Sequence, residues 1–435
     1  MTRQNYPDYE SNSYKLNLRG RKVLPGGGSR STIQSLPYSL YLKSGSGKNI
    51  VDVDGNSMID FNNNYTSLIH GHCHPHIVKA VSEQITKGSA FSFGSEIEIK
   101  LAELLCERVS GFEQIRFMNS GTEAVMNAIK VARAFTGRAK IAKCENAYHG
   151  SYAAAETSLA VSPTNLSQGD PVPKAYSNGT PQGVLDDVVV IPFNDVPNSR
   201  RILNKHGTDL AGILFDPYGA NMGRFPPTRE FINLLDEMRN AHDLMLIADE
   251  VIAFRSDYTG CMAQFGVTAD ITCLGKIIGG GYPVGAVAGS KHVMSVFEGR
   301  DEKARLPHGG TFNANPVTMA AGYAAMELMT PDVFNHINQL GGMFRSAIKE
   351  VLAQVNVKAN VLGQGSVFAI DIVDPVPGAT VLKRGATRLI EGIEAEFIEA
   401  GYFLSAGLHG TISTAMDEKD IEPFCEVLHT NLMAL

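Results

Sequence analysis

The sequence predicts an α/β protein: a mostly parallel sheet covered by helices, followed by a smaller α+β region. Three observations carry this. Short apolar runs alternate with helix-period segments through the middle of the chain. Several of those runs end in polar residues, where an open α/β sheet places its ligands. After Asn315-Pro316 the pattern changes to long helical periods and two later apolar runs.

A chain of 435 residues allows two or three domains at roughly 150 residues each. With 44% hydrophobic and 19% charged residues it can bury a sizeable core. The net charge of -7 comes without an acidic or basic block, which argues against a nucleic-acid-binding face. No apolar run approaches the roughly 18 residues of a bilayer span. The N-terminus lacks the apolar core of a signal peptide. The six cysteines have no paired spacing, so reduced thiols and a cytoplasmic location are expected.

Element by element, the first 20 or so residues are polar and weakly patterned and are expected to form a mobile or surface-lying arm. Asn49 to Phe61 alternates apolar positions around Asp54-Gly55, a hairpin signal. "IRFMNSG", "KIAKCE", "DVVVIPF", "AGILFDP", "LMLIADEV" and "ITCLGK" read as buried strands, with helices at Thr122–Phe135 and Thr228–His242. "GGGYPVGA" leads into another apolar run. Further on, "VTMAAGYAAMELM" and "HINQLGGMFRSAIKEVLAQV" are helical in period. "SVFAIDIV" and "GTISTAM" read as strands before a last helix around Asp417–Leu435. The expected domains are an N-terminal arm and hairpin over 1–64 that packs with the small domain, a large domain over 65–318, and a small α+β domain over 319–435.

"FMNSGTEAVMNAIKVAR" puts Ser120, Gly121 and Thr122 between a strand and a helix start. Free backbone N–H groups and the positive end of the helix dipole suit an anion there. A plain helix cap fits the same residues. "LMLIADEV" ends an apolar strand on Asp249 and Glu250. A carboxylate there can bind a metal, act as a base, pair with a buried cation or cap a turn. Lys276 ends the next apolar run. Desolvation lowers a lysine's pKa and leaves the neutral amine that a Schiff base needs. The other reading is a lysine that snorkels to the surface.

Gly279, Gly280 and Gly281 follow Lys276 and no GK[ST] occurs, so a nucleotide-triphosphate loop is disfavoured. These glycines read as the turn that frees Lys276 to swing. "NAYHG" places Tyr148 and His149 after a strand, where an aromatic stacks on a planar ring or packs in a loop. "HGGTFNANP" offers Thr311 as a phosphate contact or a turn hydroxyl. "PGGGSRS" presents Arg30, whose planar fork suits a carboxylate. "HGHCHPH" alternates four histidines, but Gly71 and Pro75 favour a loop and no carboxylate cluster completes a ligand set, so no metal site is expected.

From about Pro25 to the C-terminus the chain resembles the class III (ω-type) pyridoxal-phosphate aminotransferases. The segments that carry the resemblance are "GHCHP", "NSGTEAVMNAIKVAR", "AYHG", "DPYGANMG", "ADEV", "FGVTADITCLGKIIGGGYPVGAVAG" and "GTFNANPVTMAAG". Within the class it is similar to the glutamate-1-semialdehyde aminomutase group and to the aminotransferases that act on β-phenylalanine or D-phenylglycine.

The resemblance implies fold-type I, with a seven-stranded, mostly parallel sheet between helices and a smaller α+β domain. It also implies pyridoxal 5′-phosphate as cofactor and a homodimer with shared active sites. By that resemblance Lys276 is the Schiff-base lysine and proton shuttle, and Asp249 pairs with the protonated pyridine nitrogen. Ser120, Gly121 and Thr122 hold the phosphate, and Thr311 reaches the phosphate of the neighbouring subunit. Tyr148 stacks on the ring and Asn221 lines its edge.

Three departures bear on specificity. Asp216 stands where the family has a glutamate before Pro217. "DEVIAFRS" is one residue shorter than the aminomutase pattern. "HGGTFNANPVTMAAG", "SRS" and "NNNYTSLIHGH" look more like the β-phenylalanine and D-phenylglycine group, in which the arginine of "SRS" grips the substrate carboxylate; Arg30 inherits that role. "LSAGLHGTIS" lacks the second arginine of β-phenylalanine transaminases, leaving His409 as a candidate. The expected function is a ping-pong transaminase that favours β-amino or aromatic amino acids, with a small-molecule amino donor and keto-acid acceptor and with neither nucleic acid nor membrane as partner. A glutamate-1-semialdehyde 2,1-aminomutase and an amino-acid racemase are the alternatives.

Overall fold

The computed structural model describes residues 6–31, 37–161, 164, 166, 169–219, 225–299, 303–355, 357–372 and 390–433, with the backbone of 384–389. Two compact units form, one from Met1–Pro75 with His336–Leu435 and one from His76–Asn335. Three strands come first, β1 (Leu42–Ser46), β2 (Asn49–Asp52) and β3 (Ser57–Asp60). Next come β4 (Gln114–Met118), β5 (Lys140–Cys144), β6 (Val188–Ile191) and β7 (Leu210–Phe215). They are followed by β8 (Met245–Asp249), β9 (Ile271–Gly275) and β10 (Gly285–Gly289). The last four are β11 (Ala359–Leu362), β12 (Val367–Ile372), β13 (Tyr402–Phe403) and β14 (His409–Thr411).

Strands β4 to β10 make one seven-stranded sheet in the order β4-β10-β9-β8-β7-β5-β6. Its pairs are parallel from β6 through to β9, and β10 runs antiparallel between β9 and β4. The strands read as unbroken apolar runs because both faces are covered. Neighbouring residues enter opposite cores. Ile141, Leu214 and Ile247 join Val125, Ile129 and Ala132 of the helix Gly121–Thr136. Ala142, Ile213 and Leu246 join Leu203, Phe231 and Leu235 of the helices Val196–His206 and Arg229–His242. This two-residue alternation also sets which polar residues share a face at the strand ends.

In the other unit the expected hairpin forms with Ile50 opposite Met58. Its turn is closed by Asp52 Oδ1, which accepts from the N–H of Asp54 (2.9 Å) and of Asn56 (2.8 Å). The N-terminal arm carries an element its weak patterning did not show: Asn12–Gly20 is a helix in which only Ser13 and Asn17 are buried. Its first N–H groups are satisfied from far along the chain: Asp54 accepts from Asn12 N at 2.7 Å and Ser13 N at 3.0 Å. Ser11 caps the helix locally, its Oγ accepting from Tyr14 N at 3.1 Å, but local sequence could not show the contacts to Asp54. "GTISTAM" is also less of a strand than expected, since β14 ends at Thr411. Asp417 and Asp420 then form a capping box ahead of the helix Ile421–Met433. Among the described residues, no helix is long and apolar enough to cross a membrane.

Candidate active site

Strand β8 ends on Asp249, and Lys276 follows the last residue of β9 in a left-handed conformation, φ +49°. A non-glycine residue in that region stores strain, a feature that clusters at functional sites. Three backbones close in on this point. A Cβ on Gly275 would lie 3.2 Å from Val251 Cγ1 and 3.6 Å from Gly121 Cα, and a Cβ on Gly121 would lie 2.8 Å from the same Val251 methyl. The start of the helix Gly121–Thr136, the turn after Asp249 and the strand end before Lys276 are thus in direct contact.

Ser120 is the N-cap of that helix, its Oγ accepting from Glu123 N at 3.1 Å. The N–H groups of Gly121 and Thr122 belong to the first turn and have no intrahelical acceptor. Thr122 Oγ1 accepts from Ser151 N at 3.2 Å. A Cβ on Gly150 would come within 2.6 Å of the same hydroxyl, so the loop carrying Tyr148 and His149 lies against the helix start.

Asp249 is buried, and its Oδ1 accepts from Val251 N at 3.1 Å. Its Oδ2 lies 2.8 Å from Nδ1 of the buried His149. Nε2 of His149 is buried without a hydrogen-bond partner among the described residues. An N–H there would be left without an acceptor, so the imidazole is assigned as neutral, donating from Nδ1. Burial depresses the pKa of His149, against the pull of Asp249, and the charge of Lys143 depresses it further.

Burial also draws the Lys276 amine down to about 8; Asp249 and Asp216 oppose the shift and Arg255 adds to it. Asp216 is pushed well above the carboxylate range by burial and by the charge of Asp249, although it accepts from Tyr218 N (2.8 Å) and Gly219 N (3.3 Å). Glu250 turns away from its neighbour: its carboxyl accepts from Cys261 N at 2.8 Å and Met262 N at 3.0 Å. Burial raises its pKa to about 7. Asp249 therefore faces the site while Glu250 holds a loop. The arrangement can bind an anion at the helix start, a cationic group at Asp249 and an electrophile at Lys276.

Two of the glycines after Lys276, Gly279 and Gly280, have close neighbours. A Cβ on Gly279 would meet Val284 Cγ1 at 2.5 Å, and one on Gly280, at φ +58°, would meet Ala321 O at 2.2 Å. Gly280 is small because the turn packs there against the helix Pro316–Leu328, and Gly279 because Val284 lies over it.

Tyr148 is 63% exposed. Thr311 is also exposed, on a loop tethered by Asn119 Nδ2 to Asn313 Oδ1 (2.8 Å) and by Arg116 Nε to His308 Nδ1 (3.2 Å). Arg30 belongs to the other unit, where it is exposed and donates from Nη1 to Asn64 Oδ1 at 2.9 Å. His409 is buried in that unit, with Nδ1 3.1 Å from Ala406 O. Asn221 lies outside the described residues. In the histidine-rich stretch, His72 pairs with Asp60 at 2.7 Å and His70 meets Thr414 Oγ1 at 3.0 Å. Among the described residues no group of three or more His, Cys, Asp or Glu could hold a metal ion.

Sequence reasoning did not give roles to His149 or Lys143. The signal for the first was a histidine just past a strand end. For the second it was a lone lysine inside the apolar strand "KIAKC".

A model of the family described as aminotransferase class III matches residues 32–398. An ω-transaminase from Sphaerobacter thermophilus is 46% identical, with a TM-score of 0.94 over 98% of each chain. A β-phenylalanine aminotransferase from Variovorax paradoxus is 30% identical, with a TM-score of 0.85 over 97% of this chain and 94% of its own. Glutamate-1-semialdehyde 2,1-aminomutase 1 of Staphylococcus epidermidis is 33% identical over 418 residues, 94% of this chain and 96% of its own.

Proposed function

Because the chain belongs to the class III aminotransferases, fold-type I enzymes that use pyridoxal 5′-phosphate, we propose that it moves the amino group of a β-amino or aromatic amino acid to a keto acid. The observation that carries this reading is the convergence of Lys276, the turn after Asp249 and the helix start at Gly121, where a Cβ on Gly121 or Gly275 would press on Val251.

The residues fit the cofactor. Ser120, Gly121 and Thr122 would hold its phosphate at the helix start. Asp249, with only a neutral imidazole on its far oxygen, would pair with its ring nitrogen. Tyr148 would cover the ring face and Asn221 would line its edge. Lys276 would be the covalent anchor. When bound, the cofactor supplies the electron sink that the substrate carbon needs as it loses its proton.

The lowered basicity of Lys276 leaves about half of the amine neutral near pH 8, the form that attacks an electrophile and later accepts a proton. The neutral Lys276 amine would be the group that takes up the proton lost by the substrate carbon and gives it back. Arg30 would grip the substrate carboxylate through its planar fork. The exposure of Thr311 supports a role at the phosphate of a second copy, which makes the working unit a homodimer with shared sites. Return of the amino group to a keto acid completes a ping-pong cycle. The preference for β-amino or aromatic donors is supported by the likeness to the β-phenylalanine enzyme and by the "SRS" segment around Arg30.

A panel of amino donors, followed by the absorbance of the bound cofactor, tests the proposal. β-Phenylalanine or an aromatic α-amino acid should bleach that absorbance, and a keto acid should restore it. If no donor bleaches it, transamination is wrong. A second reading, glutamate-1-semialdehyde aminomutase, is favoured by the 33% identity to the staphylococcal enzyme. It predicts turnover of the semialdehyde with no added keto acid.

A further inference from the structure

Lys143 takes no part in that chemistry, yet it is 0% exposed in the interior of the seven-stranded sheet. On β5 it stands opposite Val190 of β6 and Leu214 of β7. Its Nζ donates to two backbone carbonyls, Thr157 O at 2.8 Å and Cys144 O at 3.2 Å. Among the described residues no carboxylate reaches it to form an ion pair. Such a group is costly to bury, and here burial draws its pKa down to about 8, with Cys144 and Glu145 the ionisable neighbours that oppose the shift.

The bond to Thr157 closes the base of the loop that carries Tyr148 and His149. The same loop is tied by Asn146 N to Ser158 O (2.9 Å) and by the side chain of Asn146 to Val161 O (3.0 Å) and Val161 N (2.8 Å). Burial is the main force that keeps His149 from a second proton; Asp249 favours that proton and Lys143 adds to the opposition. A doubly protonated His149 would have no acceptor for its Nε2–H and would compete with the cofactor's ring nitrogen for the charge of Asp249.

We propose that Lys143 is a positioning residue for Asp249: its bonds to Thr157 and Cys144 pin the loop that presents His149, so that the imidazole meets the carboxylate as a single-proton donor. The inference rests on the reading of Asp249 as the partner of the ring nitrogen. It adds a device by which the sheet interior reserves the charge of Asp249 for the cofactor.

The test uses the full-length protein labelled with 15N-histidine, with His149→Gln to assign the resonance. In the wild type at pH 6.5, Nε2 of His149 should give the signal of an unprotonated nitrogen. In Lys143→Met the same nitrogen should titrate at a higher pH. Affinity for pyridoxal phosphate, measured by equilibrium dialysis, should fall in that variant by about three- to tenfold more at pH 6 than at pH 8. A doubly protonated His149 in the wild type overturns the proposal, and that result does not depend on whether Lys143→Met folds. An unmoved titration, or an equal loss of affinity at both pH values, reduces Lys143 to a structural prop and also overturns it. The titration is read without cofactor, so failure of pyridoxal phosphate to bind the wild type would sink the functional reading instead.

Discussion

At Lys276 burial wins over two nearby carboxyl groups, and the amine is left at about 8 instead of 10.5. That balance makes it a usable nucleophile, so Lys276→Ala should lower keto-acid-dependent turnover by roughly 10²–10⁴-fold or more; a variant that still cycles would remove the mechanism. Asp249→Asn keeps the shape and the Val251 contact but loses the charge. Turnover should fall by roughly 10²-fold, and wild-type kinetics in this variant would mean the carboxylate is structural. Arg30 makes a different prediction, because it acts on the substrate alone. Arg30→Ala should raise KM for carboxylate-bearing donors by about tenfold or more, the scale of a charged hydrogen bond. Amines without a carboxylate should be unaffected, and a uniform loss across donors would deny the assignment.

The site is assembled by elements meeting end to end. Sheet alternation places Lys143 on the face of Ile141, Asp216 on that of Leu214 and Asp249 on that of Ile247, the face covered by the helix Gly121–Thr136. One parity choice in three parallel strands thus collects the polar groups beneath the helix start. The turn after Lys276 obeys packing just as strictly. Gly280→Ala would drive a Cβ to 2.2 Å from Ala321 O at φ +58°, a cost of about 2–3 kcal/mol. Thermal denaturation should show a clear drop in Tm; an unchanged Tm would mean the turn is looser than its contacts indicate.

Across the whole molecule, buried ionisable groups give stability opposing pH dependences. The folded state holds Lys143 at about 8 against an ordinary 10.5. Between those values the unfolded chain binds more protons, so this group's contribution to stability rises with pH over that window. Glu250 runs the other way: its folded value is about 7 against 4.5, so its contribution is lost as pH climbs from 4.5 through 7. The gap in denaturation midpoint between wild type and Lys143→Met should therefore widen in favour of the wild type from pH 8 to 10. A flat gap would mean Lys143 is not buried as a cation.

Much of the architecture was readable because both faces of the large sheet are buried, which turns β5 to β9 into apolar runs flanked by helical periods. The Asn12–Gly20 helix was only partly readable: Ser11 caps it locally, but its first N–H groups are satisfied by Asp54 in a later hairpin turn. The sequence by itself determined the strand ends at Asp249 and Lys276 and the helix start at Ser120, because local periodicity and capping chemistry act over a few residues. Only the tertiary structure decided that His149 meets Asp249 from 100 residues away. It likewise decided that Glu250 turns to Cys261, that Lys143 lies beneath the loop, and that Gly279 and Gly280 serve packing. Each of these depends on which buried polar group finds a partner and which side chain finds room, and only the folded chain brings those neighbours together.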